Sequence, residues 1–272
     1  MADYKGRWAL VTGASAGIGA TFARELAARG ANVILTARRE DRLLALADEL
    51  TSSRGVKAVT IAADLADPAA PEKILAEAAA KAGPIDILVN NAGYGLPGFF
   101  AESDWPDHRA FLEVMVTSCV RLTHAVLPGM TSRGFGRIIQ VSSVAGLVPG
   151  SAGHTLYGPA KAFLVSFAQS IAAETDGAGV TSTALCPGFT YSEFHDANGT
   201  RKLVSLLPNY MFMRAEPVVQ GTLDAVDEGH VVYVPGAWNK FLVGLVKLLP
   251  RPMAARMMKK QSAKFRRRKA EV

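Results

Sequence analysis

Tyr157 and Lys161 stand four residues apart in a periodic segment running from Leu156 to Thr175, so a helix there puts both on one face. A phenol, with a reference pKa near 10, is a poor proton donor or acceptor at neutral pH. A cation about 4 Å away, at an effective dielectric of about 20, supplies roughly 4 kcal/mol, enough to lower that pKa by about three units. The pair reads as proton-transfer chemistry, although a Tyr/Lys spacing of this kind also arises by chance in many helices.

A second constellation lies near the start. The apolar run Trp8 to Thr12 passes straight into Gly13-Ala14-Ser15-Ala16-Gly17-Ile18-Gly19 and then into a helical pattern from Ala16 to Arg29. Glycine is required where a backbone turns tightly and approaches a phosphate with no Cβ in the way. The following helix offers unpaired N–H groups and the positive end of its dipole to an anion. The competing reading is a plain strand-to-helix turn.

The spacing is G-x-x-x-G-x-G, and it is followed in order by Asn90-Asn91-Ala92-Gly93, Tyr157-x-x-x-Lys161 and Pro187-Gly188. In these four motifs, which cover most of residues 7 to 234, the sequence resembles the short-chain dehydrogenase/reductase family in its single-domain branch. The resemblance implies an oxidoreductase in which Tyr157 is the general acid/base and Lys161 supports it and holds the cofactor ribose. It also implies a substrate-polarising serine before the tyrosine. Counting back at the family's usual spacing lands on Val144, so one extra residue is present; aligning Val-Ser-Ser-x-Ala-Gly instead selects Ser143, with Ser142 as the fallback and Ser151 read as a loop residue.

The implied dinucleotide would meet Gly13, Ser15, Gly17, Ile18 and Gly19 at its phosphates, Asp64 and Leu65 at the adenine, and Asn91, Pro187 and Thr190 further along. The second strand ends at Thr36-Ala37-Arg38-Arg39, with no acid where an NAD enzyme would bind the ribose 2′-OH. Guanidinium suits a 2′-phosphate by charge and planar geometry, so Arg38 and Arg39 indicate NADP(H), against a bland reading in which both are merely solvated. One departure from the family is Met115, which aligns with a common asparagine of the proton relay. It supports an alternative in which the chain is a cofactor-binding sensor or scaffold with weak turnover.

The substrate region is apolar: Tyr94, Leu96, Phe99 and Phe100 follow the asparagine motif, and Phe194, Leu203, Leu206, Leu207, Tyr210, Met211, Phe212 and Met213 follow Pro187-Gly188. A small apolar carbonyl or alcohol fits, and the same residues also fit core or subunit contact. The five histidines (His108, His124, His154, His195, His230) show no metal-ligand spacing, so no metal is expected.

The elements that must position these groups alternate strictly. Strand candidates at Trp8–Thr12, Ala31–Ala37, Val56–Ala62, Ile85–Val89, Arg137–Val141, Val180–Leu185 and Val231–Val234 are separated by helical segments, including Asp41–Leu50, Pro71–Ala82, Asp107–Thr131 and Glu216–Glu228. Continuously apolar strands alternating with helices predict an α/β fold, a single-domain Rossmann-like doubly wound parallel sheet of about seven strands with helices on both faces. Residues 1–236 read as the dinucleotide-binding and catalytic domain and residues 237–272 as an apolar segment with a basic tail.

The 272 residues carry 30 Lys+Arg and 24 Asp+Glu, net +6, with 49% apolar residues, which excludes a disordered chain. Nine basic residues and one acid lie between Arg251 and Val272, so the last 22 residues hold +8 and the preceding 250 hold −2. A net-acidic body argues against nucleic acid as a partner. Phe241 to Leu249 is too short to span a bilayer; with its basic flank it has the composition of an interfacial membrane anchor, with a packed cover or a solvated end as the competing readings. Cys119 and Cys186 read as buried free thiols, and no secretory signal pattern is present. The expectation is a cytoplasmic protein, with membrane association at its surface as an open option. By family resemblance it is a homodimer or homotetramer.

Overall fold

The computed structural model describes residues 3–96, 98–150, 152–153, 155–191, 211–250 and 252–256. Seven parallel strands form its main sheet: β1 (Trp8–Thr12), β2 (Asn32–Ala37), β3 (Ala58–Ala62), β4 (Ile85–Asn90), β5 (Gly136–Val141), β6 (Val180–Leu185) and, last in the chain, β9 (Val232–Tyr233), in spatial order β3-β2-β1-β4-β5-β6-β9. Two dipeptide strands, β7 (Phe189–Thr190) and β8 (Phe212–Met213), pair as a separate parallel ribbon. The helices are α1 (Gly17–Ala28), α2 (Glu40–Arg54), α3 (Ala70–Lys81), α4 (Trp105–Leu112), α5 (Ser118–Ser132), α6 (Tyr157–Glu174), α7 (Ala215–Asp227) and α8 (Ala237–Leu248).

Side-chain alternation along each strand feeds two cores, one on each face of the sheet. Ala9, Val11, Val33 and Leu35 join Phe22, Leu26, Leu43 and Val218 on one face. Leu10, Ile34, Leu88 and Ile138 meet Ile74, Leu122 and Ile171 on the other. The strands are apolar at nearly every position because both faces are covered.

The chain runs outward from β1 to β3 and then returns to β4 beside β1, so the strand order reverses between β1 and β4. At such a switch point the crevice beyond the carboxyl ends of the strands receives ligand. Thr12, Asn90, Val141 and Leu185 end β1, β4, β5 and β6 at that edge, and every motif of the site follows one of these strands or a neighbour.

One expectation is corrected. The long helix expected from Asp107 to Thr131 is divided by a π-helical turn, Glu113–Thr117, whose next amide, Ser118 N, donates to Glu113 O. The whole helical run Trp105–Ser132 is also long and apolar enough to cross a bilayer by length and composition. Its apolar content lies elsewhere: Phe111, Val114, Met115, Leu122, Val126 and Met130 are buried against the sheet and its neighbours.

Candidate active site

The glycine loop is built on close approach. Gly13 has φ +66°, and a Cβ there would lie 2.8 Å from Asn91 Nδ2 and 2.9 Å from Ala92 Cα. A Cβ on Gly19 would collide with the Gly13 carbonyl O. Asn91 Nδ2 donates to Thr12 O (2.8 Å) and Gly13 O (3.3 Å), tying the loop after β1 to the end of β4. No side chain caps the N-terminus of α1, so its first-turn amides are left for an anion. The cradle fits a dinucleotide pyrophosphate.

Arg38 is exposed at the end of β2. Arg39, the N-cap residue of α2, turns back over the loop, and its Nη2 and Nε donate to Ser15 Oγ at 3.0 and 3.3 Å. Glu40 and Asp41 fall in the first turn of α2, where their charge complements the helix dipole. Asp64 is exposed just after β3, its Oδ1 accepting from Ala66 N (3.1 Å), and Leu65 beside it is buried. Both arginines therefore stand just beyond the carboxyl end of β2, Arg39 over the glycine loop.

Ser142 and Ser143 separate cleanly. Ser142 is buried and its Oγ donates to Lys161 O (2.7 Å), fastening α6 to the end of β5. Ser143 Oγ accepts from Ala145 N (3.1 Å) and donates to Pro187 O (3.4 Å), and its hydroxyl is near enough to the Tyr157 phenol to act on its pKa, lowering it. The structure thus brings Ser143, Tyr157 and Pro187 together and leaves Ser142 occupied in holding the helix.

Lys161 is buried, and its Nζ donates to Val141 O at 2.7 Å while lying 5.6 Å from the centroid of the Tyr157 ring. Burial holds its ammonium down at about 8. Burial pushes the Tyr157 phenol up to about 12, opposed by the Ser143 hydroxyl. The expected lowering of Tyr157 by a lysine about 4 Å away is corrected: the ammonium is turned to a strand carbonyl, and the phenol sits with Tyr94, Leu96 and Leu156 around Phe111, Met115 and Ala160. The raised value keeps the phenol protonated across the neutral range and makes it a weaker acid than a free phenol.

Met115 occupies the π turn, buried below the asparagine motif. A Cβ on Gly93 would be 2.7 Å from Met115 Sδ and 3.8 Å from Lys161 Nζ. Cys119 and Cys186 are both buried and free, and burial pushes each thiol up to about 11.

The supporting roles of several residues escaped the sequence reading. Thr12 Oγ1 accepts from Asn91 N (2.9 Å) and Ala92 N (3.0 Å), which fixes the asparagine motif against the glycine loop. Asn90 is buried, and its Nδ2 donates to Cys119 O, Thr123 Oγ1 and Gln140 Oε1. Asn239 of α8 packs on Gly188. Its only sequence signal was a polar residue inside an apolar helix. Ser151, His154, Phe194, His195 and the residues from Leu203 to Tyr210 lie outside the described residues. Among the described residues no three His, Cys, Asp or Glu side chains gather as a metal site.

A parallel sheet with a glycine cradle at its switch point and a Ser–Tyr–Lys group at its carboxyl edge defines a dinucleotide-dependent oxidoreductase of the short-chain class. A family profile described as short chain dehydrogenase matches residues 7–202. The chain belongs to the short-chain dehydrogenase/reductase family.

Among its relatives, a short chain dehydrogenase of Pseudocercospora fijiensis is 42% identical over 195 residues, 70% of this chain and 61% of that protein. The 3-oxoacyl-(acyl-carrier-protein) reductase FabG of Escherichia coli is 39% identical over 190 residues, 69% of this chain and 75% of the reductase. Among solved structures, a 7β-hydroxysteroid dehydrogenase superposes with a TM-score of 0.84 at 25% identity, covering 94% of this chain and 97% of its own. A short-chain dehydrogenase from Sphingobium yanoikuyae in complex with NADPH gives 0.78 at 31% identity, with 90% and 96% coverage. The L-sorbose reductase from Gluconobacter frateurii, complexed with NADPH and L-sorbose, gives 0.75 at 28% identity, with 86% and 97% coverage.

Proposed function

We propose that this chain is an NADP(H)-dependent reductase, reversible as a dehydrogenase, acting on an apolar ketone or aldehyde. The observation that carries it is the Ser143–Tyr157 hydroxyl pair at the carboxyl edge of β5, backed by Lys161 and surrounded by apolar side chains. Ser143 Oγ polarises the substrate carbonyl. The Tyr157 hydroxyl donates its proton to the oxygen as it gains charge. Lys161, seated on Val141 O, supplies a positive charge behind the phenol. The cofactor supplies the hydride when bound. Gly13, Ser15, Gly17, Ile18 and Gly19 are assigned to its pyrophosphate, Arg38 and Arg39 to the 2′-phosphate, and Asp64 and Leu65 to the adenine. Asn91, Lys161, Pro187 and Thr190 are assigned to its nicotinamide half.

The solved neighbours include both a steroid and a sugar enzyme, so the fold does not choose the substrate. The lining does. Tyr94 meets Phe111 edge-on at 5.5 Å after the asparagine motif, and after Pro187-Gly188 Phe212 stacks on Tyr191 at 5.0 Å and lies tilted against Phe189 at 5.6 Å. We infer a cytoplasmic homodimer or homotetramer with residues 1–236 as the catalytic unit. An NADPH-oxidation screen over ketones, aldehydes, 3-oxoacyl thioesters and steroids, with Tyr157→Phe as control, is the test. The variant should lose about 10²–10⁴-fold in rate; equal rates would sink the assignment, and NADPH binding without turnover in either protein would favour the sensor reading.

A further inference from the structure

Helix α4 buries His108 and Phe111, one turn apart on the same face. Phe111 belongs to the apolar cluster that takes in Tyr94, Leu96 and Tyr157. His108, only 5% exposed, stacks its ring on Phe100 at 4.5 Å, and its Nε2 lies 2.9 Å from Phe100 O. A carbonyl oxygen only accepts, so Nε2 carries a proton and donates it. The other ring nitrogen, Nδ1, is buried with no hydrogen-bond partner. An orphaned buried nitrogen costs stability, so an apolar side chain would serve better if filling space were all the position required. What an apolar side chain lacks is the hold on the Phe100 carbonyl.

The place of that carbonyl gives the hold its use. Residues Gly98 to Ser103 follow β4 at the carboxyl edge of the sheet and contain the 3₁₀ turn Phe100–Glu102. The segment is fastened at three points. Gly98 N donates to Gly153 O (2.9 Å), four residues before Tyr157; Glu102 Oε2 accepts from Phe99 N (2.9 Å); and His108 holds Phe100 O. The first bond joins backbone to backbone and the second lies within the segment. Of the three, only His108 is a side chain from another element, so it sets where the 3₁₀ turn sits. Phe99 and Phe100 are nonetheless exposed. Two neighbouring aromatic rings left in water, on a segment tied to the approach to Tyr157, offer apolar area that a substrate would bury.

We propose that His108 is a positioning residue for substrate selection: through the Phe100 carbonyl it holds Phe99 and Phe100 where the alkyl chain of an apolar ketone lies once its carbonyl reaches Ser143 and Tyr157. The inference rests on the reductase reading above. It gives His108 no part in proton transfer, so loss of the hold acts on binding and leaves the chemical step alone.

The test is NADPH oxidation with 2-decanone and 2-butanone, which share the reacting group and differ in the length of one alkyl chain. His108→Leu keeps apolar bulk and removes the donor. It should raise KM for 2-decanone by about tenfold with kcat within about twofold, and change kcat/KM for 2-butanone by less than about threefold. His108→Gln, whose amide N–H can donate to Phe100 O, should recover most of the lost affinity. Amide hydrogen exchange over residues 98–103 should quicken in the Leu variant and slow again in the Gln variant. Phe99→Ala with Phe100→Ala, both at exposed sites, should reproduce the 2-decanone effect, and it keeps the test open should the Leu variant fail to fold. The proposal is overturned if His108→Leu affects both ketones alike, lowers kcat at constant KM or leaves exchange unchanged. Failure of Gln to rescue, or a Phe pair that leaves 2-decanone unaffected, overturns it as well. No turnover of any ketone by wild type is a separate result: it removes the reductase reading, and this inference with it.

Discussion

Asn239 fills the space that any side chain on Gly188 would need: a Cβ built there would run into Asn239 Oδ1. Asn239 is buried and cannot swing aside, because its Nδ2 donates to Pro235 O (2.8 Å). The loop it presses against presents Pro187 O to both Ser143 Oγ and Val144 N. Helix α8 therefore braces Ser143, the residue proposed to polarise the substrate carbonyl, through one glycine.

Gly188→Ala should cost about 2 kcal/mol through overpacking and lower kcat/KM as Pro187 O shifts from Ser143. Adding Asn239→Ala should restore part of both losses. A double-mutant cycle by thermal unfolding and steady-state kinetics measures the coupling, and strict additivity would show that the two residues do not act on each other.

The two titrating groups set a pH signature. Carbonyl reduction needs Tyr157 protonated, and with the phenol raised to about 12 that condition holds throughout the neutral range. Loss of the Lys161 charge as pH rises through about 8 should then form the alkaline limb of the reductive rate. In stability the sign is opposite. Folding lowers the Lys161 pKa, so the unfolded chain binds the extra proton between about 8 and the unfolded value, and stability gained through this residue rises with pH across that window. Wild type should gain on Lys161→Met over that interval in denaturant titrations; a constant difference would contradict the buried ammonium.

Arg38→Asp should shift coenzyme preference from NADPH toward NADH by on the order of tenfold or more, since an acid at that strand end accepts from the ribose 2′-OH and repels a 2′-phosphate. Ratios of kcat/KM for the two coenzymes measure it. An unchanged ratio would leave Arg39, held on Ser15, as the sole phosphate contact.

Thr12→Val removes the acceptor of two amides, Asn91 N and Ala92 N, and should destabilise by about 2 kcal/mol as those donors lose their partner. Thr12→Ser keeps the oxygen and should stay close to wild type. Chemical denaturation of both variants separates the hydrogen bonds from the lost methyl group.

The sheet was legible because strands buried on both faces are written as unbroken apolar runs, and the seven main-sheet strands came out within two residues of their ends. The β7–β8 ribbon was not, since two residues carry no period. The motifs placed Tyr157, Lys161 and Asn91 by number. Counting back from Tyr157 failed because the segment holds an extra residue, and it was the Val-Ser-Ser-x-Ala-Gly alignment that selected Ser143 over Ser142; the bond that occupies Ser142 on Lys161 O was not legible. The direction of the Tyr157 shift was misread for a related reason. An i, i+4 spacing sets which face two residues share, but not where a long ammonium stem points, and the Val141 carbonyl that captures it comes from a strand twenty residues away.

The π turn at Glu113–Thr117 has a consequence for chain length. One residue more than a plain α-helix needs is wound into that segment, and wound as plain α-helix it would re-aim every later side chain by about 100°. The row Cys119, Leu122, Val126 and Met130 therefore meets the core only because the π turn absorbs the surplus. A one-residue deletion within Glu113–Thr117 would take up that slack as a plain α-helix and leave the row facing the core. The same deletion at Leu122 would leave Cys119 in place and turn only Val126 and Met130 away from the sheet.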